Sequence, residues 1–316
     1  MSEITALTYH KLFDPKPVEH AAELPPAAGD QRRVVTYVYT DQIILAVNIA
    51  LATGRPLLVR GPSGTGKSSL ARSAAKVLGF RYYEQVVTSR TQARDMLWQV
   101  DHLRRLHDAQ SPKRRFDPGY GPYVVPGPLW WAFDEASARK QHASSSAGRV
   151  MRAQESGQDD TCPRAVVLID EIDKADPDTP NNLLVPLGSL QFQVEETGQL
   201  VEVSSRGPPL IFVTTNDERE LPGAFLRRCI ELKLEYPSRE RLIEVGRAQF
   251  TGLDDALLVA VATAMLPDGE PPSVSPAEYV DVLRGCVALR MSPDSAAFQK
   301  VLEAAVWKHG RKEPGR

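Results

Sequence analysis

Cysteine is scarce: Cys162, Cys229 and Cys286 are odd in number and far apart in the 316 residues. They supply neither a disulfide framework nor a zinc knuckle. The six histidines form no H-E-x-x-H or similar spacing, so no resident metal centre is expected. No apolar run approaches the roughly 18 residues of a membrane span, and the N-terminus lacks the charged-then-apolar layout of a signal peptide. Charge of one sign is lacking too. The formal net charge is −2, which gives no global pull toward nucleic acid or a membrane surface. These absences lead to the expectation of a cytoplasmic protein. What is present is an ordinary globular balance, 42% hydrophobic and 25% charged, long enough for about two domains.

Against that background one stretch stands out. Gly61-Pro62-Ser63-Gly64-Thr65-Gly66-Lys67-Ser68 fits the phosphate-binding pattern G-x-x-x-x-G-K-[ST] in full. Gly61, Gly64 and Gly66 permit backbone conformations closed to other residues and bring N–H groups close to phosphate oxygens. Lys67 supplies a point charge to the β- and γ-phosphates, and the Ser68 hydroxyl is suited to Mg²⁺. The context fits: Leu57 to Val59 reads as a buried strand, and Ser68 to Leu78 as an amphipathic helix stopped by Gly79. The helix aims its positive end at the bound anion. ATP with Mg²⁺ is the expected cofactor pair.

A second run, Ala165 to Glu171, has four or five apolar residues ending in two acids, as a buried parallel strand with carboxylates at its C-terminal end does. Asp170 is placed to hold Mg²⁺ or its water. Glu171 points elsewhere because strand side chains alternate, and can polarise an attacking water. Pro209 to Thr214 reads as another buried strand; Asn216, just beyond it, can orient the water or touch the γ-phosphate, or simply make a turn. Leu221 to Cys229 offers Arg227 and Arg228 before a strand at 230–234, with no partner nearby in sequence.

The rest of the chain falls into place around these. Residues 1–33 read as a flexible arm, Val34 to Tyr39 as a β-prone run, and 41–52 as a helix capped by Thr40. The α/β core spans 34–236. Arg81 to Val87 is its second strand, Arg90 to Ala109 reads as helical, about 110–133 as an inserted hairpin and about 135–162 as a mobile loop. Within the insert Tyr120, Tyr123, Trp130 and Trp131 follow no periodic core pattern, which suits an interface, with packing on the sheet as the rival. A helix at 179–190 and a hairpin at 191–203 turning at Gly198 follow. After Tyr236-Pro237 the pattern is helical, at 239–250, 253–265, 276–290 and 294–308. That makes a small all-α lid over 237–309 and a tail at 310–316.

Taken together, Gly61 to Ser68, Leu168 to Glu171, Thr215-Asn216 and Leu221 to Arg228 resemble AAA+ ATPases, and among them the MoxR-like group, whose added hairpin the insert ending at Trp131 resembles. The resemblance implies a P-loop NTPase fold: a parallel five-stranded sheet flanked by helices, then a small all-α lid. It also implies a homo-oligomeric ring, commonly a hexamer, that remodels a protein partner, often one with a von Willebrand A-type domain. It makes Asn216 the sensor-1 residue and Arg228 the arginine finger, with Arg227 in reserve. Tyr37, Tyr39 and Ile43 become candidates to wall the adenine. The family's Ser-x-Arg sensor-2 signature is missing: the lid reads Ser273-Val274-Ser275-Pro276-Ala277 and Ser292-Pro293-Asp294, leaving Arg284 or Arg290 to reach the site from further along.

Other readings stay open. A non-hydrolysing nucleotide switch or scaffold is favoured by the missing arginine and disfavoured by Glu171, Asn216 and Arg228. A DNA-directed ring ATPase rests only on Lys113 to Arg115 and on Arg104-Arg105, and nucleic acid is not the expected partner. A small-molecule kinase is disfavoured by the helical lid.

Overall fold

In the computed structural model of the chain the described residues are 9–16, 36–111, 119–145, 164–204, 207–250, 252–267, 269, 271–291, 295, 297–298 and 300. The elements run α1 (Asp41–Thr53), β1 (Leu57–Arg60), α2 (Lys67–Leu78), β2 (Arg81–Val86), β3 (Trp98–Val100), α3 (His102–Gln110), β4 (Val124–Pro126), α4 (Pro128–Phe133) and α5 (Glu135–Ser145). They continue with β5 (Ala165–Asp170), α6 (Asp178–Asn182), α7 (Leu184–Ser189), β6 (Gln191–Gln193), β7 (Leu200–Glu202), β8 (Leu210–Thr215), α8 (Gly223–Leu226) and β9 (Ile230–Lys233). The lid supplies α9 (Arg239–Gln249), α10 (Asp255–Met265) and α11 (Pro276–Ala288).

A five-stranded sheet in the order β2-β5-β8-β1-β9, parallel throughout, forms the centre of the fold, as expected for a P-loop NTPase. Its strands are apolar on both faces because helices cover both. Leu57, Val59, Val166, Leu168 and Phe212 meet Val47 of α1 and Leu70 and Ala74 of α2 in one buried cluster. The alternate residues Leu58, Val167, Ile169, Ile211 and Val213 join Trp130, Phe133 and Phe192 in another. The period of two assigns each residue its face. The lid has its own core, with Leu242, Val261, Tyr279 and Leu283 buried. Thr40 caps α1 by accepting from the Ile43 N–H at 3.2 Å, and Gly79 ends α2 with φ 66°.

The structure differs from the sequence reading at several points. Arg90 to Ala109 is not one helix: a 3₁₀ turn leads to β3, which pairs antiparallel with β4, and α3 follows only from His102. The hairpin of the insert thus begins before residue 110, and residues 128–133 are a buried helix instead of its second arm. Residues 135–145, read as loop, form α5, which carries Gln141 to the carbonyls of Gly121 and Val124 at 2.7 and 2.8 Å. Residues 146–162 lie outside the described residues, as do Lys113 to Arg115, the tail and most of the expected helix at 294–308. The segment 179–190 is split into α6 and α7, and residues 36–39 form no strand.

Three of the four aromatic residues considered for an interface are core, and Tyr120, partly buried, packs against it. Tyr123, Trp130 and Trp131 are 2%, 0% and 3% exposed, and the Trp130 indole N–H donates to Ser137 Oγ at 2.8 Å. Their burial removes them from an interface role; a six-residue helix is too short to display a helical period. Arg105 stacks on Tyr120, 4.3 Å from its ring centre. Arg104 donates to the carbonyls of Pro122 and Ser145. Within residues 1–33, described only at 9–16, Phe13 is fully buried and its N–H and carbonyl pair with the Asn48 side chain at 2.9 and 2.8 Å. That part of the arm is docked. No helix among the described residues is long and apolar enough to cross a membrane.

Candidate active site

Strand register assembles the site. Ile169 lies opposite Val213, so Asp170 and Thr214 emerge side by side; Arg60 lies opposite Thr215, so Asn216 emerges beside Gly61. Because all five strands run the same way, these ends share one edge of the sheet.

The loop from Gly61 to Gly66 closes tightly there. Gly61, Gly64 and Gly66 have φ of 144°, 79° and 93°, and a Cβ on Gly61 would collide with the Leu234 carbonyl oxygen. The Thr65 hydroxyl donates to the Pro62 carbonyl at 2.8 Å, and Ser63 is exposed. Lys67 lies across the loop, donating to the carbonyls of Gly61 and Pro62 at 2.7 and 2.8 Å and to Asn216 Oδ1 at 2.7 Å. Burial lowers its pKa, against the opposing pull of the carboxylates Asp170, Asp173, Glu171 and Asp217. An anion arriving here finds a charge that solvent barely screens.

Ser68 Oγ donates to both Asp170 oxygens, at 2.8 and 2.9 Å. Burial raises the Asp170 pKa, while hydrogen bonds from Thr214 and Ser68 counter the rise. A hydroxyl and a carboxylate at the mouth of a phosphate loop fit Mg²⁺, a hard cation that takes its remaining oxygens from phosphate and water. Among the described residues no group of three or more His, Cys, Asp or Glu could hold a metal by itself.

Glu171 sits in the left-handed region with φ 61°, a strained conformation for a side chain with a Cβ. Its N–H donates to Thr214 Oγ1 at 2.8 Å, and the same hydroxyl donates to Asp170 Oδ1 at 2.5 Å. Its carboxylate accepts from Asn216 Nδ2 at 3.2 Å and from Lys174 Nζ at 2.6 Å. Asp173, 3% exposed, accepts from the backbone N–H groups of Asn216 and Glu218, each at 3.1 Å, and so sets the loop that carries Asn216. Lys67, Ser68, Asp170, Glu171 and Asn216 are therefore gathered in one network. Thr214, Asp173 and Lys174 belong to it as well, though nothing in their local sequence assigns them a role.

Arg228 is not part of that network. It is exposed, donates to the Leu184 carbonyl at 3.1 Å, and borders a cleft of about 520 Å³ at the opposite, amino-terminal edge of the sheet. Arg227 also lines that cleft. Arg55 braces both by donating to the carbonyls of Arg227, Arg228 and Cys229 at 2.5, 3.1 and 2.9 Å.

Beside the phosphate loop lies a cavity of about 520 Å³, walled by Thr36 to Val38, Thr40, Gln42 and Ile43 on one side and by the lid on the other. Tyr37 and Ile43 line it. Burial raises the Tyr37 pKa, with Tyr39 adding to the shift, so its ring is a neutral wall. Tyr39 does not line the cavity: its hydroxyl shares a hydrogen bond with Ser73 at 2.6 Å and its ring meets Phe13 edge-on. Of the two lid arginines considered from sequence, Arg284 lines the cavity; Arg290, past the end of α11, does not.

A family model described as the ATPase family associated with various cellular activities (AAA) matches residues 57–238. No curated protein matches the sequence. Among solved structures, the chain is similar to the RuvB Holliday junction branch migration motor of Thermotoga maritima, with 16% identity and a TM-score of 0.43, over 83% of this chain and 67% of that one. A single-residue mutant of that RuvB gives 15% and 0.46, over 83% and 68%. A protein from Cytophaga hutchinsonii, provisionally described as an ATPase, gives 14% and 0.42, over 83% and 66%.

Proposed function

Since the chain belongs to the AAA family of ATPases, we propose that it binds ATP with Mg²⁺ at the phosphate loop and hydrolyses it, using that energy to remodel a protein partner. The carrying observation is the convergence of Lys67, Ser68, Asp170, Glu171 and Asn216 at one sheet edge, in a single hydrogen-bond network completed by Thr214. In this reading the backbone N–H groups of Gly61 to Gly66 and Lys67 hold the phosphates. Ser68 and Asp170 hold the cation, which neutralises charge on the phosphate oxygens when bound. Glu171 accepts the proton of the attacking water, and Asn216 orients that water.

AAA ATPases typically assemble as rings. Arg228 lies far from its own phosphate loop and is exposed, as a residue serving a neighbouring subunit's nucleotide would be. A homo-hexamer and a client, first to be sought among von Willebrand A-type proteins, are inferred from the resemblance to the MoxR-like group. A switch without turnover draws support from one feature: Lys174 holds the Glu171 carboxylate at 2.6 Å. The decisive experiment measures nucleotide binding and phosphate release by Lys67→Ala and Glu171→Gln. The first should bind ATP weakly or not at all, and the second should bind it and release no phosphate. Parental turnover in Glu171→Gln sinks the assignment of Glu171. Absent turnover in the unmodified protein at every concentration favours the switch.

A further inference from the structure

The cavity beside the phosphate loop is built by two parts of the chain, and two lid side chains join them. Arg241 of α9 donates from Nη2 to the Val38 carbonyl at 2.8 Å, and Gln249 of the same helix donates from Nε2 to the Thr36 carbonyl at 2.7 Å. Both side chains also line the cavity. The segment they grip has no sheet partner. Thr36 to Tyr39 is outside any strand, so its carbonyls have no ladder to join. Arg241 is itself steadied by Glu244 at 2.7 Å. On the far side of the opening, Ser275 caps α11 and touches the phosphate loop: a Cβ on Gly64 would lie 2.6 Å from its Oγ, and the Ala277 N–H donates to the Gly64 carbonyl at 3.3 Å. The lid therefore meets both the base wall and the phosphate loop, through different helices.

Resting on the nucleotide-site reading above, we infer that Arg241 and Gln249 are positioning residues for the nucleobase: they hold the backbone of residues 36–39, and with it the Tyr37 ring, as the wall the base packs on. Affinity for the base then depends on a docked lid, while the grip on phosphate, made by Gly61 to Ser68, does not depend on these two bonds. A wall held by two partly buried hydrogen bonds loses its place when a donor is removed, because an unpaired carbonyl in the cavity must turn to water.

The test compares ligands that contain the base with one that lacks it. Equilibrium binding of ATP, ADP and inorganic tripolyphosphate is measured for the full chain, Arg241→Met, Gln249→Glu and Arg241→Lys. Gln249→Glu keeps the shape and removes the donor, which guards against a packing artefact. ATP and ADP affinity should fall about tenfold in Arg241→Met and in Gln249→Glu, and equally for the two nucleotides. Tripolyphosphate affinity should stay within about twofold, and Arg241→Lys, which keeps a donor, should recover part of the loss. If ATP, ADP and tripolyphosphate weaken together, or if ATP affinity is unchanged, the positioning role is wrong while the site stands. If the unmodified protein binds neither ATP nor tripolyphosphate, the nucleotide site itself fails.

Discussion

Thr214→Val removes a hydroxyl that joins the Asp170 carboxylate to the backbone N–H of Glu171. Thr214 is fully buried, donates to Asp170 Oδ1 at 2.5 Å and receives the Glu171 N–H at 2.8 Å. Valine has nearly the same shape, so no cavity opens; the loss is polar. An orphaned buried N–H costs about 1–3 kcal/mol, and a hydrogen bond to a charged group contributes about 1.5–3 kcal/mol. The two share one hydroxyl, so about 3 kcal/mol of stability should go. Thr214→Ser keeps the hydroxyl and drops a methyl, for about 1 kcal/mol. Urea unfolding of the nucleotide-free protein reads the difference. The pH dependence follows from Asp170, whose pKa burial raises above 3.8 although Thr214 lowers it. A carboxyl raised in the folded state contributes stability at low pH that is lost as pH rises through its folded value. Thr214→Val raises that value further, moving the loss to higher pH and weakening Mg²⁺–ATP binding most under mildly acidic conditions. Turnover should fall about a hundredfold, since a strained Glu171 no longer has its anchor. If Thr214→Val is no less stable than Thr214→Ser and turns over ATP as fast, the hydroxyl bridge does not hold the site.

Three further outcomes are expected. Lys174→Met frees the Glu171 carboxylate from its 2.6 Å ion pair, so basal ATP turnover measured by phosphate release should rise several-fold; a fall would make Lys174 part of the machinery and not a restraint on it. Gly64→Ala places a Cβ 2.6 Å from Ser275 Oγ at a φ of 79°, so the lid must lift: α11 should exchange its amide hydrogens faster and ATP should bind more weakly, and unchanged exchange refutes the contact. Arg228→Ala should bind ATP and hydrolyse it on the order of 10³-fold more slowly. Mixed with Lys67→Ala protein it should regain part of its activity, and co-assembled mixtures that stay inactive rule out a shared site.

The sequence alone was sufficient wherever the physics is local. Three glycines within six residues, followed by Lys67 and Ser68, demand a tight loop opening a helix, because only glycine tolerates φ of 79° and 93° and the hydroxyl must fall one residue after the lysine. An apolar run ending in Asp170-Glu171 likewise places carboxylates at a strand's end whatever lies beside it. Helices α1, α2, α9 and α10 were legible from their pattern, the first two also from Thr40 and Gly79. The failures share a cause. In α4 six residues carry too little repeat to reveal that Trp130 and Trp131 face the sheet, and α5, Ser- and Gln-rich, buries only Ala138 and Ser145, so it has no apolar stripe to read.

Relations between distant segments had to wait for the tertiary structure. Strand order puts β8 between β5 and β1, and that adjacency alone brings the Thr214 hydroxyl to Asp170 and Asn216 to Lys67. Chain entropy favours local pairings over such distant ones; these exist because the whole sheet forms in one register. The lid is the same case. Ser275 meets Gly64, and Arg241 meets Val38 across more than two hundred residues of chain, since the lid core docks as a body and carries those side chains with it.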